Sequence, residues 1–205
     1  MKKIIALLLA LVCVFALVSC GGTPEVPDVP DEPDYSNLEP FKAAVTASAP
    51  KTAKIEVSME TTISDEPMTG EFDISYGAEN ILVNYTYDQF NEINATNPTA
   101  PDKETVTGSA TIDKNGNVTD GSVSSTVTAA ALAQYNLDGA KMTYTVQVGV
   151  LTATIEAANT ESVLGAKIDA DVTLTLTVTD GKVTSVTINY TTSEGPATIA
   201  TTYTY

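Results

Sequence analysis

Two aspartates, Asp169 and Asp171, are the side chains whose spacing best suits acid–base chemistry. Residues two apart on a β-strand lie roughly 6–7 Å from each other on one face, near the carboxylate separations found in glycosidases. Both aspartates, however, fall in the polar phase of a regular alternation of residues from Ile168 to Thr179. A solvated strand face does not provide the burial that distinguishes a catalytic carboxyl pair. The alternation therefore favours an ordinary exposed strand face, and we predict that the protein is not an enzyme.

A group of oxygen ligands, Asp113-x-Asn115-x-Asn117, resembles the start of a calcium-binding loop. Val118 stands where such a loop needs glycine, and Ser124 stands where it needs a bidentate glutamate. The Asn-Gly pair that follows Lys114 is instead typical of a tight hairpin turn. The sequence contains no His and no Arg, which removes imidazole ligands and the guanidinium group that binds phosphate. We predict no metal site and no cofactor.

Cys20 is the residue with the clearest chemical role. It ends the tetrapeptide Leu-Val-Ser-Cys, which follows Lys2, Lys3 and an unbroken apolar run from Ile4 to Val18. Basic residues before a short apolar run are typical of a secretion signal, whereas a membrane span needs about 20 apolar residues. The tetrapeptide resembles the lipobox of bacterial lipoproteins. That resemblance implies cleavage before Cys20, attachment of diacylglycerol to its sulfur, and anchoring on the extracytoplasmic face of a membrane in the bacterial cell envelope.

The sequence divides into three predicted segments. Residues 1–19 are a lipoprotein signal peptide, residues 20–35 are the lipidated cysteine with a tether rich in proline and acidic residues, and residues 36–205 are one β-rich domain. Proline recurs at every third residue of the tether, which favours extended polyproline II. The formal net charge of −16 repels nucleic acid, so we predict no nucleic-acid partner. The composition leaves protein partners open.

A change of hydrophobic period marks the start of the predicted sheet. Apolar residues in the segment 38–48 recur at helical spacing, Pro40 suits the first helical turn, and Pro50 ends the pattern. From Lys54 onward, apolar and polar residues mostly alternate with a period of two. Turn signals, including Asp180-Gly181 and Glu194-Gly195, divide this region into about ten strands. Two more short helices are predicted near residues 128–134 and 159–164.

A sheet of about ten antiparallel strands with one apolar face must curl around that face or cover it. We therefore predict a mainly β fold, a single curved antiparallel sheet or half-barrel. An N-terminal helix enters it, and one or two short helices lie on its concave face; a β-sandwich is the alternative. Over residues 38–205 this layout resembles the half-barrel lipid-carrier superfamily typified by the LolA and LppX lipoprotein families. The resemblance implies a lipid-sized cavity between sheet and helices.

The function implied is that of a membrane-anchored lipoprotein that binds an apolar or amphiphilic, lipid-like ligand. The candidate cavity residues are inward-facing aromatic and aliphatic side chains of the predicted strands: Phe72, Ile74, Tyr76, Val83, Tyr85, Tyr87, Leu174 and Leu176. Such rings also serve as ordinary core packing. The alternative function is a structural or adhesive cell-surface β module without a ligand cavity. A cavity not filled by side chains separates the two functions.

Overall fold

Strands of this protein follow one another along the chain and pair mostly with their sequence neighbours. The computed structural model describes residues 34–47, 49–61, 66–90, 103–123, 125–132 and 135–205, and Tyr35–Tyr205 form one compact unit. The strands in this part of the chain are β1 (Thr52–Met59), β2 (Met68–Tyr76), β3 (Asn80–Phe90), β4 (Lys103–Asp113), β5 (Val118–Asp120), β6 (Thr143–Gln147), β7 (Val150–Ile155), β8 (Val172–Thr179), β9 (Lys182–Thr191) and β10 (Pro196–Thr204). Cys20 lies outside the described residues.

All ten of these strands belong to one sheet, in the order β5-β4-β3-β2-β1-β10-β9-β8-β7-β6. Every neighbouring pair is antiparallel, and the first and last strands lie side by side in the middle of the sheet. The sheet is curved and open and fits a half-barrel. The predicted fold class is therefore confirmed. The β-sandwich alternative is wrong, since the described strands form one sheet.

Strand register places the apolar phase of each strand on one side of the sheet, here called the inner face. Ile55 of β1 lies opposite Phe72 of β2 and Thr201 of β10, and Leu174 of β8 lies opposite Ile188 of β9. Ile55 and Leu174 are completely buried. Because a slip by one residue would turn these side chains to solvent, the hydrophobic pattern fixes the register.

The helices are α1 (Glu39–Val45), α2 (Ser125–Leu132) and α3 (Thr160–Leu164), with 3₁₀ turns at Ser36–Leu38, Gly139–Lys141 and Ala157–Asn159. α1 matches the predicted N-terminal helix and has Pro40 in its first turn. The chain must pass from the edge strand β5 to the opposite edge strand β6, and it does so over the inner face, carrying α2. Hydroxyl groups of Tyr76 and Tyr203 donate to the carbonyls of Ala131 and Ala130, and hold α2 against β2 and β10.

Two boundaries differ from the sequence prediction: α2 begins at Ser125, before the predicted segment 128–134, and β8 begins later than predicted. The alternation predicts a strand from Ile168, but β8 begins at Val172. The buried hydroxyl of Thr160 accepts a hydrogen bond from the Ile168 N–H and donates to the Ile168 carbonyl, each at 3.0 Å. Since these two backbone groups are bonded to α3, they do not extend the sheet. Among the described residues no helix combines the length and apolarity that crossing a membrane requires.

Candidate functional site

The inner face is packed under α2 and less completely packed at the two ends of the strands. Val127, near the start of α2, lines a cleft at one end of the sheet, and Leu132, the last residue of α2, lines a cleft at the other end. The helix spans only the middle of the strands, because it has eight residues and each residue of an α-helix rises about 1.5 Å. Both clefts follow from this mismatch in length.

The first cleft, here called the methionine cleft, has a volume of about 250 Å³. Its apolar walls are formed by Val57, Met59, Met68, Phe72, Tyr87 and Ile199. Thr69, Asp88 and Tyr190 add polar groups. Methionine side chains are flexible and adapt to ligands of different shape. The lining is therefore suited to an alkyl or acyl chain and has only one charged residue, Asp88, among the described residues.

A separation of two strands opens the sheet beside the methionine cleft. The ladder between β2 and β3 runs only to the pair Gly70–Tyr87, whereas β1 stays paired with β2 as far as Met68. β3 in turn stays paired with β4 as far as Lys103. A Cβ atom at position 70 would lie 3.1 Å from the Phe72 ring, so glycine is what lets the aromatic side chains pack across this point.

Asp88 bridges the two strands where their ladder ends. Its carboxylate accepts hydrogen bonds from the N–H and the hydroxyl of Thr69 at 3.1 and 2.9 Å, from Lys103 at 3.3 Å and from the Thr105 hydroxyl at 3.2 Å. Lys103 also donates to the carbonyl of Pro67 at 3.1 Å. Burial opposes ionisation of Asp88, but these hydrogen bonds outweigh it and lower the pKa of the carboxyl below 3.8. The network takes the place of the missing backbone bonds.

Aromatic residues form a continuous row from the methionine cleft into the sheet. The ring centroids of Phe72 and Tyr85 are 6.2 Å apart, and those of Tyr85 and Tyr87 are 5.6 Å apart. Tyr85 lies over Gly108 of β4, where any Cβ atom would collide with its ring. Tilted rings at these distances attract one another beyond their area of contact. Phe72 and Tyr87 therefore present a rigid wall to the cleft, with Tyr85 behind them.

The second cleft, here called the lysine cleft, has a volume of about 260 Å³ and lies at the opposite end of the strands. Its lining includes Val45, Ala47, Tyr76, Ile81, Leu132 and Tyr205, with Lys114 as the charged residue. The Tyr205 hydroxyl donates to the carbonyl of Val183 at 3.0 Å and fixes the C-terminal side chain over β9. Both tyrosines are partly withdrawn from water, and burial raises the pKa of each phenol.

The structure separates the eight predicted cavity residues into four groups. Phe72 and Tyr87 line the methionine cleft, Tyr76 lines the lysine cleft, and Tyr85 packs behind the first pair. The remaining four are core residues with at most 1% of their surface exposed: Ile74, Val83, Leu174 and Leu176. Sequence reasoning missed Met59, Met68 and Lys114, whose only signal was a position near a strand end.

The polar motifs singled out in the sequence have structural partners. Asp113 accepts hydrogen bonds from the backbone N–H groups of Asn115 and Asn117, the pattern of a tight turn. Asp169 pairs with Lys167 at 2.7 Å, and Asp171 accepts a bond from the Ala157 N–H at 3.0 Å. Both aspartates precede β8 and do not share a strand face. The described residues contain no group of three or more carboxylate or thiol side chains suited to a metal ion.

These features define a β half-barrel with two small apolar clefts. The sequence matches no family model, and a search of curated proteins finds no match.

Proposed function

We propose that this protein is a bacterial lipoprotein, anchored by Cys20 on the extracytoplasmic side of a membrane, that binds an apolar chain in the methionine cleft. The observation that supports this most directly is the cleft itself. It is a volume of about 250 Å³ with mainly apolar walls, next to an inner face that is otherwise tightly packed. Protein interiors are close-packed, so an open apolar volume of this size is a natural place for a ligand.

The size of the cleft limits the ligand. Pockets that enclose drug-sized molecules have volumes of about 300–1,000 Å³, so the methionine cleft is slightly smaller. It has room for part of one alkyl or acyl chain. The ligand class is therefore a single-chain amphiphile, or one chain of a larger lipid whose other parts stay outside. Binding would bury the chain between Phe72, Tyr87 and the two methionines, without a chemical step.

Native mass spectrometry tests the cleft. The chain from residue 20, carrying Cys20→Ala, is expressed in a bacterium, purified gently and then titrated with dodecanol. We expect a mass excess that is lost on denaturation, either from copurified lipid or from dodecanol. Val57→Phe fills the cleft and should abolish this mass excess. Ser58→Phe, on the exposed side of the same strand, should leave the mass excess unchanged. A protein that binds neither lipid nor dodecanol contradicts the proposal.

The proposed anchor is tested separately by fractionation of cells that produce the full chain. Acyl chains on Cys20 would be the attachment to the membrane, so Cys20→Ala moves the protein from the membrane fraction to the soluble fraction. Cys13→Ala, within the proposed signal peptide, is the matched control and leaves the protein in the membrane fraction. A Cys20→Ala protein that stays with the membrane overturns the anchor and leaves the cleft proposal untouched.

The outer face of the sheet favours a second candidate function. Hydroxyl side chains align across neighbouring strands, as in the ladder Thr145–Thr152–Thr175–Thr187, which contains no charge. Such a face suits a structural or adhesive surface module. Substituting Thr152 and Thr175 with Lys would then abolish attachment of cells to a surface or to one another, while Val57→Phe would have no effect. The opposite result favours the ligand-binding function.

A further inference from the structure

Lysines in the described part of the chain fall into two groups. Five of them form ion pairs with carboxylates: Lys42, Lys54, Lys103, Lys141 and Lys167. Three form no such pair with a described residue: Lys51, Lys114 and Lys182. The sequence has 26 acidic residues against ten lysines, so lysines without a carboxylate partner are unexpected.

The three unpaired lysines lie at the end of the sheet that contains the lysine cleft. Lys114 lines the cleft. The Lys182 ammonium lies 4.6 Å from the ring centroid of Tyr205, which also lines it. Lys51 directly precedes β1, and its carbonyl accepts a hydrogen bond from the N–H of Tyr76, another lining residue, at 3.1 Å. Lys114 and Lys182 thus provide two ammonium groups, without an ion pair to a described residue, at or beside the walls of an apolar cleft.

We propose that the lysine cleft binds a medium-chain carboxylate, with its alkyl chain among Tyr76, Ile81 and Leu132 and its carboxylate at Lys114 and Lys182. The apolar walls supply the affinity through burial of the chain. The two ammonium groups supply the preference for an anion, which the net charge of −16 would otherwise repel. This site is distinct from the methionine cleft and does not depend on the function proposed for it.

The nearest acidic neighbour in sequence, Asp113, forms no ion pair with Lys114. The carboxylate of Asp113 accepts hydrogen bonds from the Asn115 and Asn117 backbone N–H groups at 2.8 and 2.9 Å and from the Asn117 side chain at 2.9 Å. The Asn117 bonds are the main cause that lowers the pKa of Asp113. The Asp113 carboxylate is therefore bonded within its own turn, and no described carboxylate forms an ion pair with the Lys114 ammonium.

The volume of the cleft sets the chain length. The cleft, with a volume of about 260 Å³, has room for a chain of medium length and not for a long lipid chain. Decanoate is the matching probe. Decanol has the same chain without the charge, and decyltrimethylammonium has the opposite charge. Comparison of the three separates burial of the chain from recognition of the head group.

Calorimetric titration of the Cys20→Ala chain from residue 20, at low ionic strength, tests the proposal. We expect decanoate to bind most tightly and decyltrimethylammonium most weakly. Lys114→Ala and Lys182→Ala should each lower the affinity for decanoate about twofold to fivefold, the range for partly exposed charge pairs. Neither substitution should change the affinity for decanol. Lys167→Ala removes a charge at a remote, exposed ion pair and is the matched control. Added salt reduces the preference for decanoate over decanol.

Cleft-filling variants locate the bound chain. Ala47→Phe narrows the lysine cleft and should lower the affinity for all three probes. Val57→Phe, in the methionine cleft, should leave the affinity for decanoate unchanged. The proposal is overturned if decanol binds as tightly as decanoate, or if Lys114→Ala has no more effect than Lys167→Ala. It is also overturned if Val57→Phe alone abolishes decanoate binding, a result that would support the methionine cleft instead.

Discussion

The carboxylate of Asp88 on β3 accepts two hydrogen bonds from Thr69 on β2, one from its N–H at 3.1 Å and one from its hydroxyl at 2.9 Å. Thr69 is the first residue of β2 beyond the ladder that joins the strand to β3. The side chain of Asp88 thus takes over as hydrogen-bond acceptor where the strands separate. This arrangement holds the sheet together at the mouth of the methionine cleft.

Asp88→Ala should therefore lower the free energy of unfolding by about 1.5–3 kcal/mol, the usual range for hydrogen bonds to a charged group. The loss has two causes: Thr69 loses its acceptor and Lys103 loses a carboxylate partner. Urea denaturation followed by circular dichroism measures it. Asp73→Ala, at an exposed aspartate of the neighbouring strand, is the control and should change stability by less than about 0.5 kcal/mol. Equal losses in the two variants would contradict the bridging role.

The contribution of Asp88 to folding stability depends on pH, and the direction follows from its lowered pKa. The pKa of Asp88 is lower in the folded protein than its ordinary value of 3.8, so the folded state binds the proton less tightly than the unfolded state. The stabilisation by Asp88 is fully present above pH 3.8 and is lost as the pH falls through the lower, folded value. The difference in stability between wild type and Asp88→Ala should therefore shrink below about pH 4. A difference that stays constant down to pH 2 would mean that the carboxylate charge contributes nothing.

Strand faces are tested by Leu174→Asp. Leu174 is completely buried between Ile188 and Ala153 of the neighbouring strands, so an aspartate there would be an unpaired carboxylate in the core. We expect the domain to be unfolded at 25 °C, with loss of the β-sheet circular dichroism signal. Thr173→Asp, one residue earlier and exposed on the outer face, should keep the fold. Unfolding of Thr173→Asp together with a stable Leu174→Asp would reverse the assignment of the faces.

Local patterns explain why much of this fold is predictable from sequence. Alternation with a period of two places Leu174 and Leu176 on the buried face, and the turn at Asp180-Gly181 joins β8 and β9 as predicted, with both residues at positive φ. Such signals depend on neighbouring residues only. The start of β8 was mispredicted because its limit is set by Thr160, eight residues before Ile168, through a side-chain hydrogen bond that periodicity does not encode.

The buried hydroxyl of Thr160 joins α3 to the segment before β8. It accepts from the Ile168 N–H and donates to the carbonyls of Ala157 and Ile168, all at 3.0 Å, in a site with no exposed surface. Thr160→Val keeps the shape and leaves buried backbone groups unpaired, so we expect a loss of about 1–3 kcal/mol in the free energy of unfolding. Ser162→Ala removes an exposed hydroxyl from the same helix and should cost less than about 1 kcal/mol. Hydrogen exchange of the Ile168 amide should accelerate only in Thr160→Val.

The candidate site was less predictable than the sheet. Phe72 and Tyr87 could be selected as aromatic residues on the apolar phase, but the cleft beside them lies where the β2–β3 ladder ends at Gly70 and where the short helix α2 leaves the strand ends uncovered. The strand register and the placement of α2 are properties of the whole fold. The unpaired state of Lys114 is likewise invisible in the sequence, where an aspartate stands directly before it.

The hydroxyl groups of Tyr135 and Tyr203 are both buried, but they differ in their hydrogen-bond partners. Tyr203 donates to the Ala130 carbonyl at 2.8 Å, whereas the Tyr135 hydroxyl interacts with the Tyr203 phenol but meets the geometry of a hydrogen bond to no described residue. Tyr203→Phe should therefore destabilise the protein by about 1 kcal/mol. Tyr135→Phe removes a buried polar group without a partner and should be neutral or stabilising by up to about 1 kcal/mol. A loss in Tyr135→Phe as large as that in Tyr203→Phe would show that a buried water satisfies Tyr135.

The same two phenols make the protein sensitive to alkali. Burial raises the pKa of Tyr135 to about 12 and also raises the pKa of Tyr203, where the neighbouring phenols Tyr135 and Tyr76 add to the effect. The unfolded chain releases these protons near pH 10, before the folded protein does, so stability is full below pH 10 and falls as the pH rises further. Urea denaturation at pH values from 9 to about 12 should show this fall, and it should be shallower in Tyr135→Phe, which has one buried phenol fewer. If both proteins lose stability equally, the Tyr135 phenol is accessible to hydroxide in the folded state.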